Sequence, residues 1–262
     1  MQEEFANYII TKDIRFKHAK GMRDIIGQEL HTYHEIFFFI DGDTEFVSEY
    51  GTQKLLPLTT LIIPKNTFHC FEVHCDEKEY QRCVLNFGSV FELDEIINIK
   101  LKHIFITKSK KIADIFIKMK DLEKSHLSQI EKELLIKAFF IEILVELEYE
   151  ENYRFDSDIS PIASKIISYI NQNIEKTLSV EELSSKLYIS KSHLSHIFKK
   201  HLRIPLHKYI LERRLILANT KIKNGIPAMQ AATESGFSDY SGFYKQYKKM
   251  FGFAPTKTKN GF

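Results

Sequence analysis

Ser192, Ser195 and His196 stand at i, i+3 and i+4 in the segment from Lys191 to Lys200. On a helix they share one face, where two hydroxyls and an imidazole can hydrogen-bond to base edges in a major groove. Lys191 and Lys199 flank that face and suit phosphate contacts, which position a protein without reading sequence. A second set, Tyr240, Ser241, Tyr244 and Lys245, lies on the open side of a later helical segment. The structural alternative for one such set is a solvated helix face. Two sets in one basic region favour duplex DNA.

The surrounding residues predict the helices that hold both sets. Ser179 is a cap for a helix carrying Leu183 and Leu187, and a turn at Tyr188-Ile189 leads to Ser190, a second cap. Leu194, Ile197 and Phe198 then form the apolar stripe opposite the polar face. Pro227 opens a second pair, Gly236 ends its first helix, and Ser238 is expected to cap the next, with Phe243 and Tyr247 packed inward. Gly242 leaves room for a close backbone approach to a partner, or is a tolerated defect. From Pro205 to Asn224 one long helix joins the pairs and fixes their separation. Adjacent major-groove faces repeat every ~34 Å, so one subunit could read a bipartite site.

Charge agrees. Residues 159–262 carry 17 Lys+Arg against 6 Asp+Glu, and residues 1–158 carry 20 against 29, so a net charge of +2 conceals a basic half and an acidic half. The division predicts an amino-terminal domain over 1–150, a linker over 151–159 and a DNA-binding domain over 160–262.

These carboxy-terminal residues resemble the DNA-binding domain of the AraC/XylS transcription regulators. The likeness rests on Leu194 to Lys200, on Arg213-Arg214-Leu215 with Ala218, and on Gly236-Phe237-Ser238-Asp239 followed by Phe243, Tyr247-Lys248-Lys249, Gly252 and Pro255. It implies two helix-turn-helix motifs, with base contacts on Ser192, Ser195, His196, Tyr240, Ser241, Tyr244 and Lys245. Ala231, Ser235 and Tyr247 depart from the family's usual residues and are expected to loosen the packing.

The acidic half predicts short strands over 28–40, 45–50, 58–63, 68–74 and 82–87, separated by turns at Asp41-Gly42-Asp43 and Pro64-Lys65-Asn66. Such strands suggest a small sandwich or barrel enclosing a pocket. The whole is therefore an α+β chain of two domains, an amino-terminal β-sandwich or barrel with helices and a carboxy-terminal all-α domain. Glu29 to Glu35 and Pro64-x-Asn66-x-x-His69 resemble the two signature segments of cupins, with Glu29 in place of the first histidine and Asn66 in place of a glycine. That resemblance implies that Glu29, His31 and Glu35 could converge with His69 on a divalent ion. The same groups suit hydrogen bonds to a polar effector, and this is the preferred reading: Glu29, His31, Tyr33, Glu35 and His69 as polar contacts, Phe37 with Phe39 and Phe68 as walls, and no metal or cofactor assigned.

Cys70, Cys75 and Cys83 show no metal-ligand spacing, and their odd number argues for a reducing cytoplasm. Helical patterns run from Ser109 to Leu122 and from His126 to Tyr149. The second is apolar on more than one face, which suits a symmetric dimer, and its glutamates exclude a membrane span. The expected function is a cytoplasmic, non-enzymatic, effector-responsive transcription regulator, by family analogy an activator. Its expected partners are double-stranded DNA, a small polar effector such as a sugar or other metabolite, a second copy and RNA polymerase. The alternatives are a cupin metalloprotein and an effector-independent DNA-binding protein.

Overall fold

The computed structural model describes residues 5–11, 13–21, 29–76, 79–88, 103–151, 159–176 and 178–256. Packing divides them into two units, one within 1–47 and 52–157, the other within 48–51 and 158–260. Most of the expected linker, 152–158, lies outside the described residues.

Among the described residues, the first part of the chain forms the strands β1 (Phe5–Ile10), β2 (Ile14–Lys20), β3 (His34–Asp41), β4 (Thr44–Ser48), β5 (Gly51–Lys54), β6 (Thr59–Ile63), β7 (His69–Val73), β8 (Gln81–Phe87) and β9 (Phe105–Thr107). They form a six-stranded sheet, β1-β2-β8-β3-β6-β9, and a three-stranded sheet, β5-β4-β7. Alternation along β3 sorts its side chains. Phe37 and Phe39 pack with Phe46, Leu55, Leu61 and Ile63 between the sheets. Ile36 and Phe38 face the other way, into a core with Phe116, Met119, Ile136 and Phe140. Those last residues lie on α1 (Lys110–Asp121) and α2 (Gln129–Tyr149), so the unit is an open sandwich with helices over the outer face of its large sheet. It is not a closed barrel.

The local signals for these helices are direct. Ser109 accepts from the Ile112 amide, and Ser128 with Glu131 forms a reciprocal capping box at the start of α2. One face of α2 buries Ile136, Phe140, Ile143, Leu144 and Leu147. On another, Ile130, Leu134, Ile141 and Val145 remain 72%, 60%, 45% and 52% exposed. Among the described residues no helix is long and apolar enough to cross a membrane.

The second unit contains α3 (Pro161–Asn173), α4 (Val180–Leu187), α5 (Lys191–Leu202), α6 (Leu206–Lys223), α7 (Ala228–Glu234) and α8 (Tyr240–Phe251). Each helix pair has its own buried side chains. Leu183, Leu194 and Phe198 are buried in the first helix pair. Ala231, Ala232, Phe243 and Tyr247 pack with Leu215, Ala218 and Ile222 of α6 in the second.

Candidate functional site

The first pair turns at Tyr188, which adopts φ 55° and leaves the Ile189 amide to donate to the Ser184 carbonyl at 3.1 Å. Ser179 Oγ accepts from the Glu182 amide at 3.0 Å and Ser190 Oγ from the His193 amide at 3.2 Å, so both expected caps are made. With Leu194 and Phe198 buried, Lys191, Ser192, Ser195, His196 and Lys199 are all exposed on α5. Lys191 is also engaged, its Nζ 2.5 Å from Glu181 Oε1.

The second pair departs from expectation at its cap. Asp239, not Ser238, starts α8, its carboxylate accepting from the Ser241 amide at 3.1 Å and the Gly242 amide at 2.6 Å. A carboxylate at a helix N-terminus satisfies two unpaired donors and meets the positive end of the helix dipole. This explains Gly242, since a Cβ there would lie 2.7 Å from Asp239 Oδ2. The glycine serves the cap. Ser241, Tyr244 and Lys245 are exposed and Tyr240 is half-buried, its ring 5.6 Å from that of Phe243.

Two positions acquire roles that their neighbours in sequence could not reveal. Gly236 has φ 86°, and a Cβ on it would meet Arg214 Nε at 2.8 Å and the Ile174 carbonyl at 2.9 Å. Arg214 donates to the carbonyls of Ile174 at 3.0 Å and Lys176 at 2.6 Å. One guanidinium thus closes the end of α3 and sits beneath the turn of the second pair. Tyr247 Oη donates to Asn219 Oδ1 on α6 at 2.6 Å, both residues being buried. The hydroxyl expected to loosen the packing is therefore paired, and burial raises its pKa to about 12.

In the first unit, the expected strand over 28–40 is interrupted. Glu29 makes a single antiparallel bridge to His69, and β3 begins only at His34. Irregular backbone between them nonetheless brings Glu29, His31, Glu35 and His69 together, with one ligand-type atom of each within 4.8 Å of the others. Asn66 takes φ 63°, a left-handed geometry that asparagine tolerates, and donates its amide to the His31 carbonyl at 2.8 Å. Tyr33 stacks on His31 with ring centroids 4.0 Å apart.

A cavity of about 270 Å³ opens beside this group. Glu29, Tyr33, Glu35 and Phe37 line it, and His31, His69, Phe39 and Phe68 do not. The lining adds Arg15 and Lys17 of β2, Arg82 and Asn86 of β8, Tyr8, Phe71 and Tyr80. The sequence reading missed these cations. The alternation Ile14-Arg15-Phe16-Lys17 is the signal that could have found two of them. Burial raises the Glu29 pKa to about 7, with Glu35 adding to the rise, while His31, Lys17 and Arg82 oppose it. Burial likewise raises Glu35 and lowers His31, and it lowers His69 to about 4.

A family model described as a helix-turn-helix domain matches residues 183–261. The carboxy-terminal unit is thus a helix-turn-helix domain. Its type is AraC. The chain is 37% identical over 93 residues to the probable transcriptional regulator LumQ of Photobacterium leiognathi, covering 35% of this chain and 38% of LumQ. It is 27% identical over 248 residues to the transcriptional activator RhaR of Mannheimia succiniciproducens, covering 89% and 79%. The chain spans less than half the length of LumQ and of two further regulators it matches. Among solved structures, ToxT of Vibrio cholerae is similar over 97% of both chains at 13% identity and a TM-score of 0.42.

Proposed function

We propose that this chain is a DNA-binding transcription regulator of the AraC type whose first unit senses a small polar effector. The observation that carries the reading is the pair of capped helices, α5 and α8, each burying one face and presenting hydroxyl, imidazole and lysine side chains on the other. Ser192, Ser195 and His196 read one groove segment, and Tyr240, Ser241, Tyr244 and Lys245 read the next. Lys191 and Lys199 contact phosphate. Affinity then falls with salt, by a log–log slope of about −0.9 per neutralised phosphate.

The effector occupies the cavity of the first unit, where Arg15, Lys17 and Arg82 face Glu29 and Glu35 across aromatic walls. Mixed charge at this volume suits a small molecule rich in polar groups. An effector can shift DNA occupancy only by differential affinity for two states, so DNA must tighten or weaken effector binding by the same factor. A second copy covers the apolar stripe of α2, which explains the exposure of Leu134 and Ile141. Sedimentation of Leu134→Glu checks this, a monomer being expected. The reading involves no enzymatic step and places the chain with the chromosome in the cytoplasm, with RNA polymerase as a further partner.

The test is selection of DNA bound by the full-length chain from a random pool. Two enriched motifs about one helical turn apart are expected. Lys245→Ala and His196→Ala should relax preference in different halves, whereas Lys199→Ala should weaken all sequences alike. No enriched motif at moderate ionic strength would overturn the reading.

A further inference from the structure

Antiparallel register lines up the inner face of the large sheet in rows. Arg15 of β2 lies opposite Asn86 of β8, and Asn86 opposite Glu35 of β3. The next row is Lys17, Val84 and Phe37. All six line the cavity, while the alternate residues Ile14, Phe16, Cys83 and Leu85 belong to the opposite core. Neighbouring strands are about 4.8 Å apart, so the first row sets a cation, an amide and an acid at even steps along one wall.

The charges of that wall do not balance. Among the described lining residues Arg15, Lys17 and Arg82 face Glu29 and Glu35, three cations to two carboxylates. Arg82 is 4% exposed, and the groups it touches are neutral: it donates to the Gly21 carbonyl at 2.7 Å, and its guanidinium lies 4.7 Å from the centre of the Tyr80 ring. A buried cation is costly unless an anion answers it. Asn86 Oδ1 is also buried and has no hydrogen-bond partner among the described residues. An amide oxygen only accepts, so this one needs a donor. Pairing the cations with Glu29 and Glu35 alone would leave both the surplus charge and this oxygen unanswered.

We propose that the cavity binds a small organic acid that carries a hydroxyl or amino group beside its carboxylate. The proposal rests on the effector reading above and narrows it to one chemical class. Arg15, Lys17 and Arg82 hold the carboxylate, which a planar guanidinium can grip through two parallel hydrogen bonds. The neighbouring hydroxyl or ammonium donates to Asn86 Oδ1 and to Glu35, one and two strands away from Arg15. Phe37 and Phe71, stacked with ring centroids 3.9 Å apart, form the apolar wall for the carbon skeleton. A neutral sugar leaves the surplus charge unanswered, and an amine adds to it.

The experiment titrates the full-length chain calorimetrically with three acids and their matched counterparts: gluconate against sorbitol, which lacks the carboxylate, malate against succinate, which lacks the hydroxyl, and glutamate against glutarate, which lacks the amine. One molecule of at least one acid per chain is expected, bound about tenfold or more tighter than its counterpart. Lys17→Gln and Arg82→Met should each weaken that acid by about tenfold or more, the scale of one hydrogen bond to a charged group, and Lys17→Arg should restore most of the loss. Lys17 is only partly buried, so Lys17→Gln carries the test if Arg82→Met fails to fold. Lys54→Gln, at an exposed cation paired with Asp43 and outside the cavity lining, should leave binding unchanged. No acid bound, counterparts bound as tightly as the acids, or equal loss in Lys54→Gln would each overturn the inference. DNA affinity measured on the same samples separates the two readings. Sorbitol binding that shifts DNA affinity would sink the acid and spare the effector reading, whereas a bound acid with DNA affinity unchanged would spare the acid site and sink the effector reading.

Discussion

The two helix pairs share a motif and differ in how it is held. The first is fixed at its edge by exposed contacts, with Tyr188 left-handed and 95% exposed at the turn and Lys191 tied to Glu181 across it. The second is fixed from beneath: Gly236 rests on Arg214, Tyr247 is paired with Asn219, and Phe237, Tyr240, Phe243, Phe251 and Phe253 stack around it. Buried contacts lose more than exposed ones when broken, because a buried polar group has no water to fall back on. The turn of the second pair is therefore held by contacts that cost more to break than those at the turn of the first.

Four substitutions can break or sharpen that contrast. Gly236→Ala should be the most damaging, by about 2 kcal/mol or more, since it combines left-handed strain of about 1–2 kcal/mol with overlap against Arg214 and the Ile174 carbonyl. Chemical denaturation of the full chain reads it, and a loss under 0.5 kcal/mol would refute the close packing. Tyr247→Phe should cost about 1–2 kcal/mol by leaving the buried Asn219 oxygen unpaired. Asp239→Ala should cost about 1 kcal/mol and lower DNA affinity through the second half-site, which footprinting of each half can resolve. Glu181→Gln should change stability by under about 0.5 kcal/mol, as exposed ion pairs do, while freeing Lys191 and tightening DNA binding at low salt. If Glu181→Gln proved as costly as Gly236→Ala, the contrast between exposed and buried support would fail.

Much of the second unit was legible because its signals are local. Ser179, Ser190 and Ser160 cap helices within three residues of themselves, and the stripe Leu194-Phe198 needs only the helical period to be seen. The miss at Ser238 is also local, since Ser238 and Asp239 are adjacent capping types and only the backbone chose between them. In the first unit the residues of the candidate cluster were visible, but their geometry was inferred from an unbroken strand. The backbone is irregular from 30 to 33 and turns those side chains together by another route. Arg15, Lys17 and Arg82 were missed because a cavity gathers residues from strands that pair only after folding.

The amino-acid order alone determined where helices start and stop, which faces are apolar, and how charge is divided along the chain. These depend on neighbours within a turn or two, where spacing fixes contact. Tertiary structure alone decided that Arg214 supports Gly236, that Tyr247 finds Asn219, and that His69 comes to face the buried Glu35 carboxylate. Arg214 and Gly236, Asn219 and Tyr247, and Glu35 and His69 lie 22 to 34 positions apart, and nothing but the packing of whole elements sets their distance.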